Sequence, residues 1–237
     1  MSNLYLNADC MNPETGLPSY PDNYFDLAIV DPPYGIGRDG HNGVKSSGWN
    51  KYEWKEWDKN SPDQLYFDEL FRVSKNQIIW GANYFTQFLP PSMGWIMWDK
   101  VNVFTSSDGE LAFSSFHNAL RIFRHARGSE QGFAPTLKDW EKAFIGIHPT
   151  QKPLALYRWL VKNYAKKGDL ILDTHVGSAA SLCIFEEMGF EYHAFELDVD
   201  YYEKSIKRLE YMRAQPKLFS GGEIFEASKQ PIQGSLF

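Results

Sequence analysis

Residues 31–34 read Asp31-Pro32-Pro33-Tyr34 and directly follow the apolar run Phe25–Val30. A carboxylate, a stiff carbonyl-bearing backbone and an aromatic ring are displayed together at the end of a strand. The Asp31 carboxylate and the Pro32 carbonyl are both acceptors, since proline keeps its C=O while lacking the N–H. Such a pair suits the exocyclic amine of a nucleobase. That amine is a poor nucleophile because its lone pair is delocalised into the ring, and two acceptors aimed at its hydrogens favour the pyramidal, nucleophilic form. Tyr34 could stack on a base swung out of its helix. Taken alone, the four residues read equally as a tight turn after a core strand.

Two further constellations carry chemistry. Asp173-Thr174-His175-Val176-Gly177-Ser178 lies between a strand and the start of a helix, where small residues admit a ligand and the helix N-terminus favours a carboxylate or phosphate. Glu196 ends the next strand, 23 residues after Asp173. An acid at this spacing commonly accepts hydrogen bonds from ribose hydroxyls, so the pattern fits an adenosine-bearing cofactor. It is not G-x-G-x-x-G, and by itself it is also an ordinary strand–helix turn. His148-Pro149-Thr150-Gln151-Lys152-Pro153 precedes another helix, and Thr150 and Lys152 could meet a carboxylate or phosphate there. The histidines make no metal site: His117 and His125 are eight apart, which fits no usual zinc spacing.

The elements that must position these residues alternate between strand and helix. Strands are expected at Leu4–Leu6, Phe25–Val30, Gln77–Trp80 and Gly94–Trp98, in two extended segments within 110–124, and at Leu170–Leu172 and Tyr192–Phe195. Helices are expected from Ser61-Pro62 to Val73, over Ala82–Phe88, Leu154–Ala165 and Gly177–Met188, and over Val199–Arg213. Residues 35–61 form a long loop with Trp49, Tyr52, Trp54 and Trp57, an expected lid or substrate loop. The alternation predicts an α/β domain with a mostly parallel sheet covered on both faces.

A chain of 237 residues fits one such domain. Two cysteines, Cys10 and Cys183, are too few for a disulfide framework. No apolar stretch approaches the roughly 18 residues of a membrane helix, and the N-terminus lacks a signal-peptide pattern. A soluble cytoplasmic protein is expected. The net charge is −6, which argues weakly against nucleic acid. However, residues 117–152 carry six cationic side chains against three acids, and a locally basic face can still meet phosphates.

In combination, the order DPPY, HPTQKP, strand–DxxxGS–helix and FELD resembles the amino-directed DNA methyltransferases of the permuted beta group, over about residues 4–211. The resemblance implies a Rossmann-like domain over residues 1–213 with a mixed seven-stranded sheet and one antiparallel strand. It divides into a catalytic half (about 1–124), a short target-recognition region (about 125–147) and a cofactor half (about 148–213), followed by a polar tail at 214–237. The cofactor it implies is S-adenosylmethionine, with no metal. Asp31 and Pro32 would accept from the target amine, with Pro33 and Tyr34 completing the turn and Tyr34 stacking on the flipped base. Asp9 and Cys10 would bind the adenine of the cofactor and Glu196 the ribose. Asp173, His175, Gly177, Ser178, Thr150 and Lys152 would surround the methionine moiety.

The sequence departs from the family at the cofactor turn, which usually reads Asp-Pro-Phe-x-Gly-Ser-Gly-Thr. Thr174-His175 replace Pro-Phe, and Ala179-Ala180 replace Gly-Thr. His175 stands where the family has Phe.

The implied activity is adenine-N6 methylation of double-stranded DNA in a bacterium or phage. Cytosine-N4 methylation, a non-catalytic DNA- or cofactor-binding relative, and methylation of RNA or a small amine are the alternatives. Arg121, Arg124, Arg127, Lys138 and Lys142 are suited to phosphates or guanine edges. The tail carries Q-x-x-L-F twice, at Gln215–Phe219 and Gln233–Phe237, which resembles a peptide that docks on the replication sliding clamp. Leu218 and Phe219 packing on the domain is the plainer alternative.

Overall fold

The computed structural model describes residues 3–37, 55–101, 107–126, 148 and 150–215. They form one sheet of eight strands: β1 (Leu4–Asn7), β2 (Leu27–Val30), β3 (Gln77–Trp80), β4 (Ile96–Asp99), β5 (Gly109–Ser114), β6 (Arg121–Arg124), β7 (Leu170–Asp173) and β8 (Glu191–Glu196). The spatial order is β1-β8-β7-β2-β3-β5-β4-β6. Every pairing is parallel except the two made by β5 with β3 and β4. The single antiparallel strand agrees with expectation. The strand count is eight rather than seven, because Arg121–Arg124 adds itself in parallel to β4 at the edge.

β2 is buried along its length, and its side chains alternate between two cores as the period of two requires. Leu27 and Ile29 join the core that holds Trp80, Leu160 and Phe185. Ala28 and Val30 join the opposite core, with Phe67, Leu70 and Phe85.

The helices follow from apolar spacing and caps. In α1 (Gln64–Val73), Tyr66, Phe67, Leu70 and Val73 are buried. It starts later than Ser61-Pro62 because the Asp63 carboxylate is the cap that accepts from the Tyr66 N–H, at 3.2 Å. α2 spans Leu154–Tyr164. α3 spans Ala180–Glu187 and buries its first six residues. It begins three residues later than expected, because Gly177 and Ala179 have φ of +55° and +56°, outside helical space. α4 (Val199–Arg213) is capped by the Asp198 carboxylate, which accepts from the Tyr201 N–H at 3.0 Å. The expected helix at Ala82–Phe88 is a three-residue 3-10 turn, Ala82–Tyr84.

The chain leaves and re-enters the described part of the 35–61 loop at one place. The Gly35 N–H donates to the Asp58 carboxylate at 2.9 Å, and the Gly37 N–H to the Asp58 carbonyl at 3.0 Å. Lys55 then pairs with Asp198 and Asp200 at the start of α4, at 2.8 and 2.6 Å. Trp49, Tyr52 and Trp54 lie outside the described residues, as do 127–147 and the tail from 216 on, which holds most of both Q-x-x-L-F segments.

Candidate active site

In a sheet of this order, the crevice opens at the carboxyl ends of β7 and β2, where the winding reverses. Four neighbouring strands end there, and each delivers an acid or a turn picked out in the sequence: Asp9-Cys10 after β1, Glu196 at the end of β8, Asp173 at the end of β7 and Asp31 after β2.

Asp31 is held from two sides. One carboxylate oxygen accepts from the Tyr34 hydroxyl at 2.7 Å, and the other from the Lys152 ammonium. Lys152 is 3% exposed, so it is a buried charge that needs partners. It also donates to the Tyr34 hydroxyl at 3.2 Å and lies 3.3 Å from the Glu110 carboxylate. Glu110 in turn pairs with Lys100 at 2.7 Å. Burial raises the Asp31 carboxyl, and Lys152 opposes the rise while Glu110 adds to it. Burial works to raise Glu110 too, but Lys152 and Lys100 outweigh it and hold that carboxyl below the ordinary range. Lys152, placed by its motif near the methionine moiety, is directed at the catalytic turn.

The Tyr34 ring stacks on Tyr84, with centroids 5.2 Å apart and planes 18° from parallel. Burial lifts its phenol well above the ordinary range, so the O–H stays protonated and donates.

The cofactor turn is tied together by its own side chains. Asp173 accepts from the His175 N–H at 3.1 Å and from the Ser181 hydroxyl at 2.5 Å. Burial pushes its carboxyl up to about 7, with Asp31 and Glu196 adding to the rise. Glu196 accepts from the Gly177 N–H at 2.7 Å and the Asp198 N–H at 2.9 Å, and burial raises it as well. Thr174 bridges the Tyr66 hydroxyl, at 2.7 Å, to His175 Nδ1, at 2.9 Å. Burial takes His175 down to about 4, so the ring is neutral. His148 is likewise neutral, pushed down to about 3 by burial and by Lys152. Its Nδ1 accepts from the Thr150 N–H at 3.3 Å, and a β-carbon built on Gly177 would stand 3.5 Å from its ring. Ser178 is buried, and its carbonyl accepts from Arg208 at 2.8 Å. Asp9 accepts from the Met11 N–H at 2.8 Å beside buried Cys10.

Asp31, Asp173 and Glu196 are thus three crowded acids whose burial disfavours their charge. A ligand bearing positive charge and hydroxyl groups would relieve them, which is the chemistry of a sulfonium nucleoside carrying an α-ammonium.

Sequence reasoning missed Glu110, Lys100, Tyr66 and Tyr84. Because β5 runs antiparallel, its first residues reach the edge where the parallel strands finish; the only signal was an acid at the start of an extended segment. Arg121 and Arg124 lie on the exposed edge strand β6, with Arg124 3.2 Å from Asp99. Arg127, Lys138 and Lys142 lie outside the described residues.

A family model described as DNA methylase, of the N6/N4 class, matches residues 95–207. The type II methyltransferase M.HpaI of Haemophilus parainfluenzae is 24% identical over 232 residues, covering 85% of this chain and 73% of that protein. The type II methyltransferase M2.MboI of Moraxella bovis is 27% identical over 225 residues, covering 80% and 82%. Among solved structures, the M1.HpyAVI–SAM complex superposes with a TM-score of 0.55 at 15% identity, covering 87% of this chain and 98% of that one. The matched span, the relatives and the fold agree with the acids gathered at the crevice: over residues 95–207 the chain is similar to the N6/N4 DNA methylases.

Proposed function

We propose that the chain transfers a methyl group from S-adenosylmethionine to the N6 amine of an adenine turned out of duplex DNA. The observation that carries this reading is the placing of Asp31 and the Pro32 carbonyl at the end of β2, beside the strand that ends in buried Asp173. S-adenosylmethionine supplies an electrophilic methyl group. Glu196 suits its ribose hydroxyls, and Asp9 with the Cys10 backbone suits its adenine. Asp173, His175, Gly177, Ser178 and Thr150 suit its methionine part.

Asp31 and the Pro32 carbonyl accept hydrogen bonds from the target amine and direct its lone pair out of conjugation. As nitrogen bonds the methyl carbon, the methyl–sulfur bond would break with its electron pair going to sulfur to leave a neutral thioether; the amine then loses a proton, and Asp31, raised by burial, is placed to receive it. Tyr34, whose ring is seated on Tyr84, is assigned to stack on the extruded base. Residues 125–147 are assigned to target recognition, with Arg121 and Arg124 at their border.

Adenine is preferred because Asp31 opens the motif, a choice the family resemblance associates with N6 rather than N4 transfer. The test is to incubate the protein with unmethylated genomic DNA and S-adenosylmethionine and map modified bases by single-molecule sequencing. N6-methyladenine at one recurrent sequence is expected. N4-methylcytosine would reassign the base, and unmodified DNA would reject the activity. Asp31→Ala should abolish transfer while leaving cofactor affinity within several-fold.

A further inference from the structure

The Lys152 ammonium has three N–H donors and three acceptors around it: an Asp31 oxygen, the Tyr34 hydroxyl at 3.2 Å and Glu110 at 3.3 Å. The other Asp31 oxygen already accepts from Tyr34. Both oxygens of the proposed amine acceptor are therefore engaged from within the chain, and an incoming amine must compete for one of them. Tyr34 is seated by its ring contacts. Lys152 is the partner able to yield, because its stem is flexible and a second carboxylate lies within reach.

That second carboxylate is itself fixed. Lys100 holds the far oxygen of Glu110 at 2.7 Å, and Lys100 is buried with its ammonium 5.1 Å from the Trp98 ring centroid. Trp80 lies beside Lys152 at 5.4 Å. Asp31, Glu110, Lys152 and Lys100 carry two negative and two positive charges. Moving Lys152 between the two carboxylates changes no net charge in the buried cluster and keeps the ammonium paired, while Asp31 exchanges it for the incoming amine and keeps the Tyr34 hydroxyl.

We infer that Glu110 is a positioning residue for methyl transfer, a second seat onto which the Lys152 ammonium leans so that Asp31 can receive the target amine. The inference rests on the methyltransferase reading above and adds to it a residue on the antiparallel strand.

The test uses the full chain with duplex DNA and S-adenosylmethionine. Glu110→Gln keeps the shape and removes the charge. Its kcat should fall about tenfold with cofactor affinity little changed, while Tm falls because Lys100 and Lys152 lose a buried carboxylate. Glu110→Asp should recover most of the loss. In a Lys152→Met background, Glu110→Gln should cost no more than about a further twofold, since the two act as a unit. The acid limb of the kcat profile should also move to lower pH in Glu110→Gln, because a negative neighbour of Asp31 is gone. The other groups acting on Asp31 stay in place: Lys152 before α2, Tyr34 on its own turn, Tyr66 on α1, Tyr157 on α2 and Asp173 on β7.

If Glu110→Gln fails to fold, Lys100→Met/Glu110→Gln removes a whole ion pair and leaves no charge unpaired, and the same tenfold loss is expected. A folded variant within about twofold of wild-type kcat, or full additivity with Lys152→Met, overturns the inference. Absence of transfer by the wild type is a separate outcome that overturns the methyltransferase reading itself.

Discussion

Gly81 lies so close to Tyr34 that a β-carbon built on it would stand 2.1 Å from the phenol ring. The ring is seated by the absence of a side chain just beyond β3, and a φ of +69° suits glycine there as well. Gly81→Ala should displace Tyr34 and pull its hydroxyl from Asp31. Left-handed backbone adds a cost of about 1–2 kcal/mol. We expect a lower Tm and a loss of methyl transfer of about tenfold or more in single-turnover assays. Wild-type transfer by a folded Gly81→Ala protein would show that the ring position is immaterial.

Cofactor affinity should depend on pH through Asp173. Burial lifts its carboxyl to about 7, so the free protein holds it largely protonated in mild acid. A ligand bringing positive charge favours the carboxylate. Affinity should therefore rise as pH passes upward through about 7, with protons released on binding. Calorimetric titration in buffers of different ionisation enthalpy would detect that release. The same shift has a consequence for stability. A carboxyl raised on folding favours the fold below its unfolded pKa, and this contribution declines as pH climbs through the folded value. Affinity that is flat from pH 6 to 8 would remove Asp173 from the cofactor site.

Ala179 occupies left-handed backbone, φ +56°, at the entry to α3, where the family pattern has glycine. Alanine pays for its β-carbon there. Ala179→Gly should stabilise the protein by about 0.5–1 kcal/mol, the strain relieved less the added freedom of the unfolded chain. Chemical denaturation would measure it, and destabilisation would mean that the buried methyl group matters more than the backbone.

Arg121 and Arg124 should contribute to DNA binding through phosphates. Arg124 has 74% of its side chain exposed despite the contact with Asp99, so removing it should cost little stability. Replacing both by Ala should weaken binding at low salt and reduce the slope of log affinity against log salt by about 1–2. An unchanged slope would place the DNA elsewhere.

The acids at the crevice were legible because each of Asp31, Asp173 and Glu196 closes an apolar run, and a run that ends on an acid marks the carboxyl end of a strand. Glu110 carries no such mark: it opens its strand, and only reversed pairing with β3 and β4 carries it to the same edge. The ends of helices failed where backbone sign decided them. Gly177 and Ala179 look helix-compatible in sequence, yet their positive φ delays α3 to Ala180. Asp63 outcompeted Ser61 as a cap because its carboxylate meets the Tyr66 N–H. The family's seven strands did not foresee β6, although the residues of 110–124 themselves indicated a second extended segment there.

Asp58 receives both Gly35 and Gly37, which ties the chain just before the 38–54 segment to the chain just after it. Most of the entropy of closing that loop is met by the clamp, and doubling the length of an insertion costs only about 0.6 kcal/mol more. A change of length between residues 37 and 55 should therefore be tolerated by the catalytic turn, which ends at Tyr34 directly before the clamp at Gly35.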